Sequence, residues 1–327
     1  METRIFKETE EDIKEAAKII EAGGLIAFPT ETVYGLGADA LNADAVSKVY
    51  AAKGRPSDNP MIVHIFKKEQ LKELTDEITE DMKLLMEKFW PGPMTMVVKR
   101  KPIVPDVTTG GLDTVGVRCP SNETARALIR FSGTPIAAPS ANLSGKPSPT
   151  KARHCIDDLT GRVDGIIDGE DADLGIESTV VDMTDEIPMI LRPGMITKED
   201  MEKALGKEVS LDPALFKKPG KDFKPKAPGM KYKHYAPDAE MVIFKGNDIE
   251  KAIEEEKKNL EKAGKKVGII LYEDEKFAAK DLFAKLRAFD KEKVDVILAG
   301  ALDEEGIGFS VMNRMLKSAG YNIKETK

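Results

Sequence analysis

The sequence is poor in several residue types, and each shortage excludes a class of protein. The 327 residues contain two cysteines, Cys119 and Cys155, which are too few for a disulfide framework or a four-cysteine zinc site. No apolar run approaches the length of a membrane-spanning helix. Residues 1–12 are charged and lack the apolar core of a signal peptide, so we expect a cytoplasmic protein with reduced thiols.

Basic charge is also in deficit. The formal net charge is -7, although charged residues make up 33% of the chain. Binding along a polyanion requires an excess of Lys and Arg on one face, so this balance argues against stable binding of nucleic acid. Hydrophobic residues make up 41%, an ordinary proportion for a globular protein. We expect no association with membranes.

The common nucleotide-binding and hydrolase signatures are missing as well. The sequence contains neither G-x-x-x-x-G-K-[ST] nor G-x-G-x-x-G, and it has no G-x-S-x-G nucleophile elbow. Any chemistry on a nucleotide must therefore come from polar loops of another kind.

Hydrophobic patterning predicts two α/β regions joined by a linker. In residues 1–207, strands alternate with helices but also follow one another directly, which favours a twisted mixed sheet. Residues 208–237 are rich in proline and lysine, which is typical of an extended linker. In residues 238–327, strands and helices alternate regularly, which predicts a smaller, doubly wound Rossmann-like domain.

Several local predictions follow from capping and periodicity. Thr9 is expected to begin a helix, and Ser121 is expected to cap a helix over residues 122–131. The run 25–28 predicts a short buried strand. Residues 29–37, rich in hydroxyls and glycine, are expected to form a loop after that strand.

Some polar stretches could carry chemistry, although each also has a plain structural interpretation. Lys53 and Arg55 flank a glycine and together suit phosphate oxygens, but such a pair is also common in solvated turns. The Ser- and Asn-rich stretch 138–148 follows a strand, where α/β sheets place ligand loops, and it could equally be a turn. Arg118 ends a strand and could simply be exposed.

Histidine and aromatic residues pose a similar choice. His64 lies within an apolar strand, where a histidine is more often a satisfied core residue than a catalyst. The stretch 228–237 places tyrosines and a histidine inside a hydrophilic linker. Because tyrosine combines apolar area with a polar tip, this stretch could dock over a site, or it could dock only to join the domains.

Taken together, these stretches resemble the threonylcarbamoyl-AMP synthase family in its long, two-domain form. Each motif is weak alone, but their number and order along almost the whole chain make the combination specific. The resemblance is carried by Ala27–Gly37, Lys53-x-Arg55, Asn59-Pro60, Pro91–Thr95, Val117-Arg118, Ser140-x-Asn142, Ser178-Thr179, Leu191–Gly194 and the two linker stretches Pro228–Met230 and His234–Pro237.

The resemblance implies a YrdC-like first domain, a Rossmann-like second domain, and a linker that closes over the active site. It implies that threonine is held by Thr32, His64, Arg118, the backbone of Ala138, and Ser178. It implies that ATP or the bicarbonate-derived group is held by Lys53, Arg55, Asn59, Thr114, Ser140, Asn142, Ser148, Arg192, His234 and Tyr235. Within that set, Lys53 and Arg55 are the predicted catalytic cations.

The implied activity is a nucleotidyl transfer. L-threonine, bicarbonate and ATP would give threonylcarbamoyl-adenylate and pyrophosphate, and a downstream threonylcarbamoyltransferase machinery would use the product to modify tRNA. Mg²⁺ is expected to accompany ATP, with ligands that the motifs do not specify.

Three other functions are less consistent with the sequence. An RNA-binding YrdC-like module without turnover conflicts with the net charge of -7 and with the absence of stacked aromatic residues. A carbamoyltransferase of the hydrogenase-maturation type would need zinc-finger cysteines. A structural or assembly protein would not need the clustered polar loops.

Overall fold

The computed structural model describes residues 2–216, 226–227 and 234–326. The chain forms two compact units, Met1–Ser144 with Ser148–Lys231, and Gly145–Pro147 with Tyr232–Lys327. The domain limits expected from composition, at residues 207 and 238, remain predictions. Of the predicted linker, residues 217–225 and 228–233 lie outside the described residues.

The first unit is built on a large mixed sheet. Its strands are β1 (Arg4–Lys7), β2 (Ile26–Phe28), β3 (Gly35–Asp39), β4 (Ile62–His64), β5 (Met94–Lys99), β6 (Thr114–Arg118), β7 (Ile136–Ala137), β8 (Gly165–Asp168), β9 (Thr179–Asp182), β10 (Met189–Arg192) and β11 (Ser210–Leu211). Its helices are α1 (Glu10–Glu21), α2 (Ala43–Lys53), α3 (Leu71–Leu74), α4 (Glu80–Phe89), α5 (Asp106–Thr109), α6 (Glu123–Ser132), α7 (Ala152–Leu159) and α8 (Lys198–Leu205).

Within the described residues, these strands form one sheet in the order β1-β8-β2-β3-β7-β4-β6-β5-β9-β10-β11. Parallel pairs such as β4–β6 stand beside antiparallel pairs such as β5–β6. The predicted mixed sheet is therefore confirmed. The strand order is far from the chain order, so residues distant in sequence meet at the centre of the sheet.

Helix α1 shows how local sequence fixes an element. The hydroxyl of Thr9 accepts a hydrogen bond from the N–H of Asp12, as predicted for an N-cap. The stripe on its inner face is buried, with Ile20 fully enclosed, and it packs in one cluster with Leu128 and Ile129 of α6. An amphipathic period and a capping hydroxyl are sufficient to specify this helix.

Two local predictions were wrong. The cap of α6 is Asn122, whose side chain accepts from the N–H of Ala125, and Ser121 lies one position before it. The predicted loop over 29–37 ends early because β3 begins at Gly35. Gly37 lies where a Cβ would come within 2.7 Å of Ile136, so a residue typical of turns is here required by close packing inside the sheet.

The second unit has the regular architecture that its alternating pattern predicts. Its strands are β12 (Glu240–Gly246), β13 (Val267–Ile270), β14 (Val296–Gly300) and β15 (Ile323–Thr326), and its helices are α9 (Ile249–Lys262), α10 (Glu275–Glu292) and α11 (Gly306–Ser318). The strands are parallel and ordered β13-β14-β12-β15. The Rossmann-like prediction is confirmed, and β15 is a strand that the sequence pattern did not reveal.

No helix in the described part of the chain combines the length and the hydropathy needed to cross a membrane.

Candidate active site

One row of paired residues runs across the middle of the first sheet. Arg118 in β6 pairs with His64 in β4 on one side and with Thr95 in β5 on the other. Thr95 pairs with Val180, which in turn pairs with Arg192. Residues directly opposite in adjacent strands point to the same face, so the predicted site residues His64 and Arg118 share a face. Arg192 lies at a register shift in β10 and joins the same cluster through Ser178, which contacts Thr95.

Arg118 is 4% exposed and contacts three neighbouring residues. Its Nη1 donates to the hydroxyl of Thr32 at 2.8 Å, and its Nε donates to the carbonyl of Gly92 at 3.3 Å. Its Nη2 lies 2.7 Å from the carboxylate of Glu31. The guanidinium is therefore held in one orientation by an acid, a hydroxyl and a carbonyl.

Glu31 was not among the predicted site residues, although it lies inside the Ala27–Gly37 motif. Its Oε1 accepts a hydrogen bond from the N–H of Ser121 at 3.1 Å, in addition to the ion pair with Arg118. Burial opposes ionisation of this carboxyl, but the charge of Arg118 and the backbone hydrogen bonds outweigh burial and lower its pKa below the ordinary value. Glu31 is thus a buried anion at neutral pH.

His64 is neutral in this environment. Burial, reinforced by the nearby charge of Arg118, lowers its pKa to about 3. The ring Nδ1 lies 3.2 Å from the carbonyl of Ile62, which accepts a hydrogen bond from the tautomer protonated at that nitrogen. The ring stands edge-on to Phe28, with 6.2 Å between centroids. The imidazole is therefore an uncharged ring, held in one orientation beside the guanidinium of Arg118.

The loop after β2 presents hydroxyls to the same cluster. Thr30 and Thr32 share a hydrogen bond of 2.8 Å between their hydroxyl oxygens, and the hydroxyl of Thr30 donates to the carbonyl of Val33. The loop is tied to the stretch after β7, because Ala141 donates its N–H to the carbonyl of Tyr34. This backbone contact brings the second predicted polar loop beside the first.

Ser178 and Arg192 are in direct contact. Arg192 donates through Nε to the carbonyl of Ser178 at 3.0 Å and through Nη2 to its hydroxyl at 3.1 Å. The same hydroxyl lies 2.8 Å from that of Thr95. Thr95 is fully buried, and sequence reasoning missed it because a threonine in a strand has the pattern of an ordinary core position.

Lys53, the last residue of α2, reaches into the loop after β7. Its Nζ donates to the carbonyls of both Ser140 and Asn142, and the side chain is 3% exposed. The hydroxyl of Ser140 donates to Oδ1 of Asn142 at 2.5 Å. Gly54 follows in a left-handed conformation with φ of 62°, which ends α2 at the lysine.

Arg55 and Asn59 form a neighbouring group. Arg55 donates to the carbonyls of Asn59 and Pro60. Asn59 is 2% exposed, and within the described residues its Oδ1 has no hydrogen-bond partner. A buried amide oxygen in this state is available to a ligand donor.

The remaining predicted residues of the first unit occupy less connected positions. Thr114 begins β6 and lies on the same face as Arg118. Gly116 lies between them, and a Cβ at that position would come within 3.2 Å of the Thr95 side chain. Ser148 donates to Glu177 at 2.5 Å, an acid that sequence reasoning did not select. Ala138 donates its N–H to the carbonyl of Ile62, so a ligand would have to use its carbonyl.

His234 and Tyr235 belong to the second unit. Their rings lie 5.5 Å apart between centroids, and Tyr235 packs against Phe283 at 5.0 Å. Tyr235 has a φ of 62° and is 4% exposed. Their contact with a nucleotide stays a prediction, and Tyr232 lies outside the described residues.

The fold and this cluster define the class of protein. A mixed α/β sheet buries an Arg–Glu pair, a neutral histidine and several hydroxyls in one place, beside a loop held by a buried lysine. Polar groups concentrated in this way are typical of an enzyme site that binds a charged small molecule.

Comparison with known proteins identifies the family. The chain belongs to the threonylcarbamoyl-AMP synthase family of enzymes. The Sua5, YciO and YrdC family model, described as telomere recombination, matches residues 18–194. A second family model, described as the C-terminal domain of threonylcarbamoyl-AMP synthase, matches residues 196–320.

Full-length relatives agree with this assignment. A threonylcarbamoyl-AMP synthase of Pyrococcus abyssi is 49% identical over 326 residues, covering 95% of each chain. One of Bacillus subtilis is 46% identical over 333 residues, covering 95% of this chain and 94% of the relative. The crystal structure of P. abyssi Sua5 complexed with L-threonine matches with a TM-score of 0.95 at 46% identity, covering 100% of both chains.

Proposed function

We propose that this protein makes threonylcarbamoyl-adenylate and pyrophosphate from L-threonine, bicarbonate or CO₂, and ATP. The observation that carries the proposal is the buried cluster in which Arg118 contacts both Glu31 and Thr32 beside the neutral ring of His64. Support also comes from the curated names of relatives that match 95% of this chain, and from a closely similar structure described as bound to L-threonine.

The cluster suits the amino acid substrate. The carboxylate of threonine accepts from a planar fork of N–H donors, and the buried guanidinium of Arg118 would supply one. Thr32 and Ser178 present hydroxyls, which can recognise the hydroxyl of the substrate. His64, held neutral, adds a hydrogen-bonding edge without a further positive charge.

The nucleotide side of the site comprises the polar loops around this cluster. We propose that ATP and the bicarbonate-derived group are held by Lys53, Arg55, Asn59, Thr114, Ser140, Asn142, Ser148 and Arg192. Contact of His234 and Tyr235 with the nucleotide remains a prediction. Lys53 and Arg55 contribute the cations, and buried Asn59 contributes an acceptor.

The reaction would run in two bond-forming steps. The neutral amine of threonine adds to CO₂ and loses a proton to give a carbamate. A carbamate oxygen then attacks the α-phosphorus, and the bond to the β-phosphate oxygen breaks as pyrophosphate leaves, which makes the reaction a nucleotidyl transfer. Charge increases on the phosphoryl oxygens and on the leaving group, so positioned cations provide most of the rate.

Mg²⁺ would enter as part of the substrate, bound to the phosphates of ATP. Within the described residues, no three His, Cys, Asp or Glu side chains are grouped to hold a metal ion. Magnesium needs no such group, because one or two carboxylates and phosphate oxygens commonly hold it. Glu177 and Ser148 present oxygen ligands of the kind that it prefers.

The labile product would pass to the machinery that installs threonylcarbamoyl-adenosine in tRNA. An acyl phosphate of a nucleotide reacts readily with water, so the consuming enzyme must transfer the threonylcarbamoyl group promptly to an amine. In this scheme the protein itself handles small molecules and has no need of stable nucleic-acid binding.

The proposal is tested by measuring pyrophosphate release from ATP in the presence of bicarbonate. We expect release to require L-threonine, to fall strongly when L-serine replaces it, and to stop when bicarbonate and CO₂ are removed. Mass spectrometry should detect threonylcarbamoyl-adenylate in the same mixture. Release that is independent of the amino acid would contradict the proposal.

A further inference from the structure

The Arg118–Glu31 ion pair contains two atoms with unused hydrogen-bonding capacity. Glu31 Oε2 and Arg118 Nη2 are both buried, and neither has a hydrogen-bond partner within the described residues. Nη2 lies 2.7 Å from Oε1 of Glu31, close enough for an ion pair but without hydrogen-bond alignment. The pair therefore presents one unsatisfied donor and one unsatisfied acceptor side by side.

Such a pair calls for an explanation, because buried polar atoms in native proteins almost always have partners. The rest of the carboxylate is well satisfied, since Oε1 accepts from the N–H of Ser121 at 3.1 Å. The rest of the guanidinium is engaged by Thr32 and Gly92. Glu31 Oε2 and Arg118 Nη2 are thus the atoms of this pair that have no hydrogen-bond partner within the described residues and that a ligand could satisfy.

A zwitterionic α-amino acid matches both atoms at once. Its carboxylate accepts hydrogen bonds, and its ammonium, attached to the adjacent carbon, donates them. A guanidinium N–H and a carboxylate oxygen that neighbour each other reproduce that arrangement with the polarities reversed. A ligand with only a carboxylate would leave Glu31 Oε2 unsatisfied beside a second negative charge.

We propose that Glu31 recognises the amine of the amino acid substrate, with Oε2 accepting a hydrogen bond from the α-ammonium while Arg118 binds the α-carboxylate. This inference rests on the proposed function and extends it to a residue outside the predicted site. It makes the Glu31–Arg118 pair the element that selects α-amino acids over hydroxy acids.

The charge state of Glu31 agrees with this role. Although burial opposes ionisation, Arg118 and the backbone hydrogen bonds keep the pKa of Glu31 below its usual value, so the carboxyl is an anion at neutral pH. It can therefore bind a cationic amine. After the amine loses a proton, its remaining N–H groups can still donate to Oε2.

The test compares two ligands and two glutamate variants by calorimetric titration. The ligands are L-threonine and (R)-3-hydroxybutanoate, which keeps the carboxylate and the hydroxyl but lacks the amine. The variants are Glu31→Gln, which removes the charge at constant size, and Glu123→Gln, a control at a glutamate whose side chain is 87% exposed.

We expect Glu31→Gln to weaken binding of L-threonine by about 10- to 100-fold, the usual effect of losing a hydrogen bond to a charged group. Binding of (R)-3-hydroxybutanoate should stay within about twofold, because that ligand has no amine to lose. The Glu123→Gln variant should behave as the wild type with both ligands.

Two results would overturn the proposal. An equal loss for both ligands would show that Glu31 only orients Arg118, and unchanged binding of threonine would show that Oε2 is satisfied by something else. If Glu31→Gln does not fold, Glu31→Asp must weaken L-threonine more than the hydroxy acid. A wild type that binds no L-threonine would instead overturn the proposed function, and this inference with it.

Discussion

The two units of this protein treat polar side chains in opposite ways. The first unit buries acids, bases and hydroxyls from several strands and loops, and the ion pair of Arg118 with Glu31 has both side chains less than a tenth exposed. In the second unit, the described ion pairs lie at the surface; Lys245 with Glu304 and Lys258 with Glu254 are two examples.

The buried polar residues described in the second unit are also arranged differently. Ser310, Asn313, Arg314 and Ser318 all lie on the single helix α11. Residues three or four apart share one side of a helix, so these four form a stripe rather than a pocket.

The regular parallel sheet and the cluster of buried charged residues therefore lie in different units of the protein. The all-parallel second sheet is the architecture in which nucleotide sites are usually sought, yet the converging charges lie on the irregular first sheet. Burying charge is costly unless partners are fixed, and the first unit fixes them through strand pairing.

The largest expected effect comes from removing the buried guanidinium. Arg118→Met would leave Glu31 as an uncompensated buried anion, so we expect the free energy of unfolding of the first unit to fall by about 3–5 kcal/mol. Fluorescence of Trp90, the one tryptophan of the sequence and a buried residue of this unit, reports the transition in denaturant. Adding Glu31→Gln to Arg118→Met should recover part of the loss; no recovery would show that the pair does not act as a unit.

A second prediction concerns the lysine of the polar loop. We expect Lys53→Met to reduce pyrophosphate release about 100- to 1000-fold, as is common when one preorganised donor is removed from a site with developing charge. Lys48→Met is the matched control, because Lys48 lies on the same helix, is exposed and donates to the carbonyl of Gly23. Equal activity of the two variants would remove Lys53 from the catalytic machinery.

The third prediction uses pH. His64 has a pKa of about 3 in the folded protein, well below the ordinary value of 6.5. As pH falls below 6.5, His64 becomes protonated in the unfolded chain but stays neutral in the folded protein. The free energy of unfolding therefore decreases. Between pH 7.5 and 5.0 we expect this histidine alone to cost about 2 kcal/mol.

The control for the pH experiment is His64→Asn, followed through the same Trp90 signal. The variant should lose less stability over this range than the wild type, and the difference between the two curves isolates His64 from the other histidines. Parallel curves would mean that His64 accepts a proton in the folded state.

The smallest effect is expected in the second unit. Lys258 and Glu254 are one helical turn apart on α9, with 3.4 Å between charged atoms and side chains that are 62% and 50% exposed. Lys258→Gln should change the free energy of unfolding by less than about 0.5 kcal/mol, because exposed pairs are screened. Scanning calorimetry of the whole protein checks this, and a loss near that of Arg118→Met would undo the contrast between the units.

Much of the fold could be predicted from local patterns. The helix over α1, the strand β6 and the alternating elements of the second unit follow from apolar periodicity and capping, which act between residues close in the chain. The cap of α6 was misplaced by one residue because serine and asparagine cap equally well. The strand β3 was missed because glycine marks close packing as well as turns.

The site residues were predicted only through the resemblance of their motifs. The hydrogen bonds and ion pairs among those residues were not predicted. Thr32 and Arg118 are 86 positions apart, and no local preference of either residue specifies that they bond. Glu31 was overlooked because a glutamate in a polar loop is ordinarily a solvated charge. Thr95 was overlooked because the sequence of a strand does not indicate whether the hydroxyl of a threonine is hydrogen-bonded to another side chain.

By itself, therefore, the sequence determined the elements, the two α/β regions and the set of polar motifs. The tertiary structure decided which of those polar groups are buried together, which one is ionised and which one is neutral. The physical reason is that burial and charge pairing depend on the order of strands in the sheet, and that order places β4 beside β6 and β5 beside β9, although the strands of each pair are not consecutive in the chain.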